Sequence, residues 1–206
     1  MEDIKQKITD IKIELEAEPK DADLLNDLGV GYQLIGEYEQ SITTLKKAAQ
    51  LAPENHHIPF NIANSYAALQ QLEQAVHHLM DAIDLQADYV PALNNLADLY
   101  EQLDETERAG ELFAYITKIN PDDAMGYFNL GNFYLRQNDT LQAGKQYQTA
   151  IELDAEFYEA YYNIGFMLKH IGRYEEAIPY FEQCLEIKPE FEAARKDLAA
   201  CEREEF

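Results

Sequence analysis

Five positions spaced 34 residues apart carry only glycine or alanine: Gly29, Ala63, Ala97, Gly131 and Gly165. Other positions keep step with them. One residue earlier stand Leu28, Ile62, Leu96, Leu130 and Ile164, and three later Tyr32, Tyr66, Tyr100, Tyr134 and Leu168. Twelve later come Ser41, Ala75, Ala109, Ala143 and Ala177, followed by the bulky series Leu45, Leu79, Phe113, Tyr147 and Phe181. A period of this length without insertions requires a stack of like units, each burying its apolar face against the next. Within each unit apolar residues recur at three- and four-residue spacing, so the units are amphipathic helices.

The pattern resembles the tetratricopeptide repeat family over roughly Ala22 to Phe191. Copy four shows it well: Leu130-Gly131, Tyr134, Ala143, Tyr147, Ala150 and Leu153. Pro53, Pro121 and Pro189 hold the proline that often closes a repeat, while Ala87 and Ala155 replace it. Leu168 replaces the tyrosine, and Pro59 takes the usual bulky aromatic position of the first helix in copy two. The resemblance implies an all-α fold, a right-handed α-solenoid of five helix-turn-helix repeats with helical caps. The expected organisation is one domain over 1–206, with repeats at 22–55, 56–89, 90–123, 124–157 and 158–191. A cap helix is expected over 1–20 and a second cap over 192–206.

Each repeat reads as two antiparallel helices, A and B. In copy four, helix A is expected over about Met125 to Gln137 and helix B over about Leu141 to Leu153. Gly36 and Gly172 occupy the turn after helix A, where a left-handed residue suits glycine. Pro179 lies inside helix B of copy five, so a bend or late start is expected there. Ile4, Ile8, Ile11 and Leu15 form an apolar stripe before Pro19. It is expected to cover the first repeat; a dimer seam or insertion into a neighbour's groove are the alternatives. At the other end Leu198 and Ala199 continue the register, but Arg195 and Glu202 stand at the bulky and tyrosine positions, which reads as a polar cap.

The chain is 47% hydrophobic, with a formal net charge of −23. That field opposes phosphate backbones and anionic lipid, so no nucleic-acid or membrane partner is expected. It favours a basic partner segment, or simply keeps an extended helical protein soluble. No apolar run is long enough for a transmembrane helix, and the acidic start Met1-Glu2-Asp3 lacks a secretory core, which points to the cytoplasm. Cys184 falls where other copies have Ala48, Ala82 and Ala150, and so reads as a small core residue.

Two residues before the small position stand Asp27, Asn61, Asn95, Asn129 and Asn163. In tetratricopeptide repeats helix A lines the concave face, so four asparagines would recur there once per repeat. An amide both donates and accepts and can pair with any peptide unit. With helices packed about 8–10 Å apart and an extended chain advancing about 3.3 Å per residue, each would meet roughly every third residue of a ligand. The arrangement is similar to the asparagine ladder in the repeat domain of the O-linked N-acetylglucosamine transferases. The alternative is that each amide bonds an adjacent helix. Asn64 and Asn132 lie in the same region, and Phe60, Phe128, Tyr162 and Phe166 are candidate apolar anchors.

Repeats that clamp the carboxylate terminus of heat-shock chaperones need lysine and arginine at fixed helix-A positions. Here Phe60, Met125 and Asn129 stand at those positions, so the cations are missing. The adjacent pairs His56-His57 and His77-His78 are expected to point to different sides of a helix. No metal-binding, phosphate-loop or nucleophile motif appears, so no enzyme, metal or cofactor is expected. The expected function is a non-enzymatic adaptor binding an extended segment with basic and apolar residues. The alternatives are a self-assembling scaffold, with a homo-oligomer, and a targeting or regulatory domain of a larger enzyme.

Overall fold

The structure, a computed structural model, describes residues 2–204. Met1 and the last two positions of the expected 192–206 cap lie outside the described residues. Among the described residues all regular structure is helical. The elements are α1 (Glu2–Ala17), α2 (Ala22–Leu34), α3 (Tyr38–Leu51), α4 (His57–Ala68), α5 (Leu72–Leu85), α6 (Val90–Gln102), α7 (Thr106–Ile119), α8 (Ala124–Arg136), α9 (Thr140–Leu153), α10 (Tyr158–His170), α11 (Tyr174–Ile187) and α12 (Glu192–Glu204). The molecule is an all-α solenoid of tetratricopeptide-type helix pairs, and consecutive helices pack on one another within each of two compact units, Met1–Leu112 and Phe113–Phe206.

Every helix A ends in the same way. Residues 36, 70, 104, 138 and 172 all have left-handed backbones, with φ between 59° and 81°. Only Gly36 and Gly172 are glycines; Gln70, Asp104 and Asn138 adopt the same conformation. In each copy the next backbone N–H returns to a carbonyl five residues earlier: Glu37 to Tyr32, Gln71 to Tyr66, Glu105 to Tyr100, Asp139 to Tyr134 and Arg173 to Leu168, at 2.8–2.9 Å. This closure satisfies carbonyls that the helix end would leave bare, and it turns the chain into helix B. At the start of helix A, Asp21 accepts from the backbone of Asp23 and Leu24 and Asp123 from Met125, while Asp139 caps helix B of copy four by accepting from Gln142.

The small residue of helix A faces the bulky residue of helix B sixteen positions on. A Cβ added at Gly29 would lie 2.5 Å from Leu45, at Gly131 2.6 Å from Tyr147, and at Gly165 2.9 Å from Phe181. Leu45, Tyr147 and Phe181 have no exposed surface. The helices approach this closely because the glycine presents no side chain at the contact.

Pro179 does not delay its helix: α11 begins at Tyr174, in register with Tyr38, Leu72, Thr106 and Thr140. Pro59 sits in the first turn of α4, where a missing N–H costs least. The α1 stripe covers the first repeat, with Ile8 buried against Leu28 and Tyr32 and flanked by Ile4, Ile11 and Leu15. Gly31 makes room for it, since a Cβ there would lie 2.9 Å from Ile8. Cys184 is fully buried with Phe181, Ala194 and Cys201, and burial pushes its thiol up to about 11.

Candidate functional site

Helix A of each repeat carries the asparagines, and their amides are already held. In the first unit, Asn61 on α4 donates to Asn26 Oδ1 on α2 at 2.9 Å, and Asn95 on α6 donates to Asn64 Oδ1 on α4 at 2.8 Å. In the second, Asn163 on α10 donates to Asn132 Oδ1 on α8 at 3.1 Å, and Tyr147 donates its hydroxyl to the same oxygen at 2.8 Å. Asn129 lies half-buried on α8. Each asparagine–asparagine bond links one helix A to the helix A before it, while the Tyr147 bond joins helix B to helix A within copy four.

One such bond uses one amide N–H. Asn61 and Asn95 stay half-exposed, and an amide has two N–H groups and an oxygen with two lone pairs, so one such bond uses only part of their capacity; the Asn163 amide also bonds the Tyr147 hydroxyl. In Asn61 and Asn95 the bond therefore orients the amide without using all of its donor and acceptor capacity. The two roles open from sequence, interhelical tie and backbone reader, are chemically compatible. The Asn132 oxygen serves both a neighbouring helix A and the buried Tyr147, whose phenol burial pushes up to about 12.

The aromatic candidates fall into different settings. Phe128 packs its ring on Phe157 at 4.8 Å and Tyr147 at 5.7 Å. Phe60 meets Tyr89 edge-on at 5.3 Å. Tyr162 is half-buried among Phe166, Phe181 and Phe191, and its hydroxyl donates to Asp197 at 3.1 Å. Lys169 also donates to Asp197, at 2.6 Å, so α12 is tied to α10 by a carboxylate shared between a phenol and an ammonium. Burial and the Asp197 charge push the Tyr162 phenol up to about 12. Phe166 is exposed and stacks on His170, and Met125 is exposed on α8.

The histidine pairs do not point apart. The rings of His56 and His57 lie 4.0 Å from each other and both meet Tyr89. His77 and His78 both lean toward Asp81, one turn on, at 3.8 and 3.0 Å. Burial lowers the His78 pKa, against the pull of Asp81. A buried polar link also escaped the sequence reading: Gln33 donates to Ser65 at 2.7 Å, and Ser65 pairs with Ser41 at 3.0 Å. Among the described residues, no group of three or more His, Cys, Asp or Glu could hold a metal ion, and no helix is long and apolar enough to cross a membrane.

Tetratricopeptide repeat profiles match residues 22–55, 60–124, 112–145 and 158–191. The chain belongs to the tetratricopeptide repeat family. Family membership makes protein–protein interaction its coarse function. Similar solved structures of this fold include MamA from Desulfovibrio magneticus RS-1, 19% identical with a TM-score of 0.68, covering 82% of this chain and 96% of that one. PilF of Pseudomonas aeruginosa is 17% identical with a TM-score of 0.73, covering 96% and 90%. YrrB, described as a tetratricopeptide repeat protein with an unusual peptide-binding site, is 17% identical with a TM-score of 0.64, covering 90% and 96%. At these identities the likeness establishes the fold. A comparison with curated protein sequences gives no match.

Proposed function

We propose that this tetratricopeptide repeat protein is an adaptor that holds an extended segment of a partner protein along its helix-A faces. The observation that carries the reading is the tied amide. Asn61, Asn95 and Asn163 are each oriented by a neighbouring helix, and in Asn61 and Asn95 that one bond uses only part of the amide's donor and acceptor capacity. A preoriented amide loses little freedom on binding, so pairing with a peptide unit is less costly than for a free side chain. Phe166 offers an exposed apolar anchor beside Asn163, and the net charge of −23 favours a ligand with basic residues. The description of YrrB as having a peptide-binding site agrees with peptide recognition by a protein of this fold.

The test compares the wild-type chain with Asn61→Ala/Asn95→Ala and with Asn163→Ala, each first shown to be helical. Proteins captured from a lysate are identified, and the bound segment is mapped by cross-linking. Recovery of an extended, basic segment by wild type and its loss in the variants is expected. Equal capture by folded variants would sink the amide mechanism and leave the asparagines as interhelical ties alone.

A further inference from the structure

Copy four departs from its sister repeats at two neighbouring places on helix B. The second residue of that helix is Glu39, Glu73, Glu107 and Glu175 in the other copies, but Leu141 here. Three positions on, copies one, two and five carry Ile42, Val76 and Ile178, whereas copy four has Gly144. A charge is thus exchanged for a large apolar side chain, and a branched apolar side chain is deleted one turn later.

The two exchanges act on the same piece of surface. Gly144 leaves room for a side chain: an added Cβ would meet the Met167 terminal methyl at an ordinary 3.7 Å. Between α9 and α10 this leaves a cavity of about 600 Å³, lined by Leu141, Gly144, Met167 and Ile171 with Lys145 and Arg173 among its walls. Leu141 is 70% exposed and Ile171 59% exposed. At the position of Ile171, Ile35, Leu69 and Leu103 are all more covered. At the position of Gly144, Ile42 is buried. Copy three also has a glycine, Gly110, yet it keeps Glu107, and Gln137 stands where Ile171 does in the next copy. Only copy four combines the missing side chain with apolar residues around the gap.

Charge decides what such a groove would receive. The chain holds 39 acidic and 16 basic residues, a balance whose field opposes an acidic ligand at long range. Salt screens that field within about 8–10 Å, however, and both ionisable residues lining this cavity are basic and act at contact distance. Arg173 is shared with Glu176, while Lys145 forms no ion pair among the described residues. We propose that this groove is a second docking site, for an acidic amphipathic helix of a partner protein that inserts leucine-sized side chains between Leu141 and Ile171. Such helices present apolar anchors at three- and four-residue spacing, and their carboxylates would meet Lys145. The site lies between α9 and α10, and it takes a ligand of opposite charge from the one suited to the asparagine face. It stands or falls independently of that reading.

The test uses the whole chain. A display library of random 14-residue helical peptides is selected on the wild-type protein, and the best binder is measured by fluorescence anisotropy. Enrichment of acidic sequences with Leu, Ile, Phe or Met at helical spacing is expected. Binding should weaken about 10-fold or more in Leu141→Glu and in Gly144→Ile, and several-fold in Lys145→Glu. The first two variants install residue types that this chain already carries at the same repeat positions, and circular dichroism confirms their folding. No enrichment, enrichment of basic sequences, or binding that survives both groove variants would overturn the proposal. So would concentration-dependent self-association in light scattering that Leu141→Glu abolishes, which would assign the groove to a second copy.

Discussion

Substituting Gly131 by alanine separates packing from helix propensity within one helix pair. The new Cβ would stand 2.6, 2.8 and 3.2 Å from three atoms of the Tyr147 ring, where ordinary carbon contacts are about 3.5–4.0 Å. The ring must retreat by about 1 Å, but Tyr147 is fully buried and its hydroxyl is bonded to Asn132 at 2.8 Å. Overpacking costs about 1–3 kcal/mol, and a weakened hydrogen bond adds up to about 1 kcal/mol. Alanine returns about 1 kcal/mol through helix propensity. The net effect is a loss of up to about 3 kcal/mol. Gly144→Ala in α9 supplies the control, since it has the same propensity gain and its nearest contact is an ordinary 3.7 Å; it should stabilise by about 0.5–1 kcal/mol. Urea denaturation followed by far-ultraviolet circular dichroism gives both values. Adding Tyr147→Leu to Gly131→Ala should recover part of the loss, because Ala63 and Leu79 already form that combination in copy two. If the two alanine variants are equally stable, the close approach of α8 and α9 at Gly131 is not what makes glycine necessary.

Gln70 holds a left-handed backbone without being glycine, so Gln70→Gly should raise stability by up to about 1 kcal/mol, measured in the same denaturation series. Asp197→Ala leaves Lys169 and Tyr162 without their shared carboxylate and should cost about 1.5–3 kcal/mol, with hydrogen exchange accelerated first in α12. In Asp197→Asn the Tyr162 phenol should titrate below its value of about 12 but above 10, because the charge is gone and the burial remains; NMR titration of a ring-labelled sample reads this directly. With its thiol at about 11 against a usual 9.0, Cys184 in the Cys201→Ser background should be alkylated at pH 8 far more slowly folded than unfolded. Equal rates would mean that the thiol is not sealed in the core.

The repeat architecture was legible because each copy restates it. The 34-residue register, the small residue facing a bulky one, and the α1 stripe of Ile4, Ile8, Ile11 and Leu15 all follow from local periodicity. Glycine at 36 and 172 announced the left-handed turn, but Gln70, Asp104 and Asn138 adopt it too. There the repeated bond from the residue after the turn to the helix carbonyl outweighs the local preference.

The sequence could supply the asparagines but not their bonds. Asn61 meets Asn26 while Asn95 meets Asn64 and Asn163 meets Asn132, so the partner lies 35 residues back in one case and 31 in the others. The same holds for Tyr162 and Lys169, joined through Asp197 on the capping helix, and for the gap at Gly144 that uncovers Ile171. What this chain determined by itself was the set of contacts inside each helix pair, because those recur at a fixed sequence distance. What only the tertiary structure decided was which side chains meet between successive repeats. Those contacts depend on how neighbouring helices are rotated and spaced, and a change of one side chain's length redirects a bond or opens a groove.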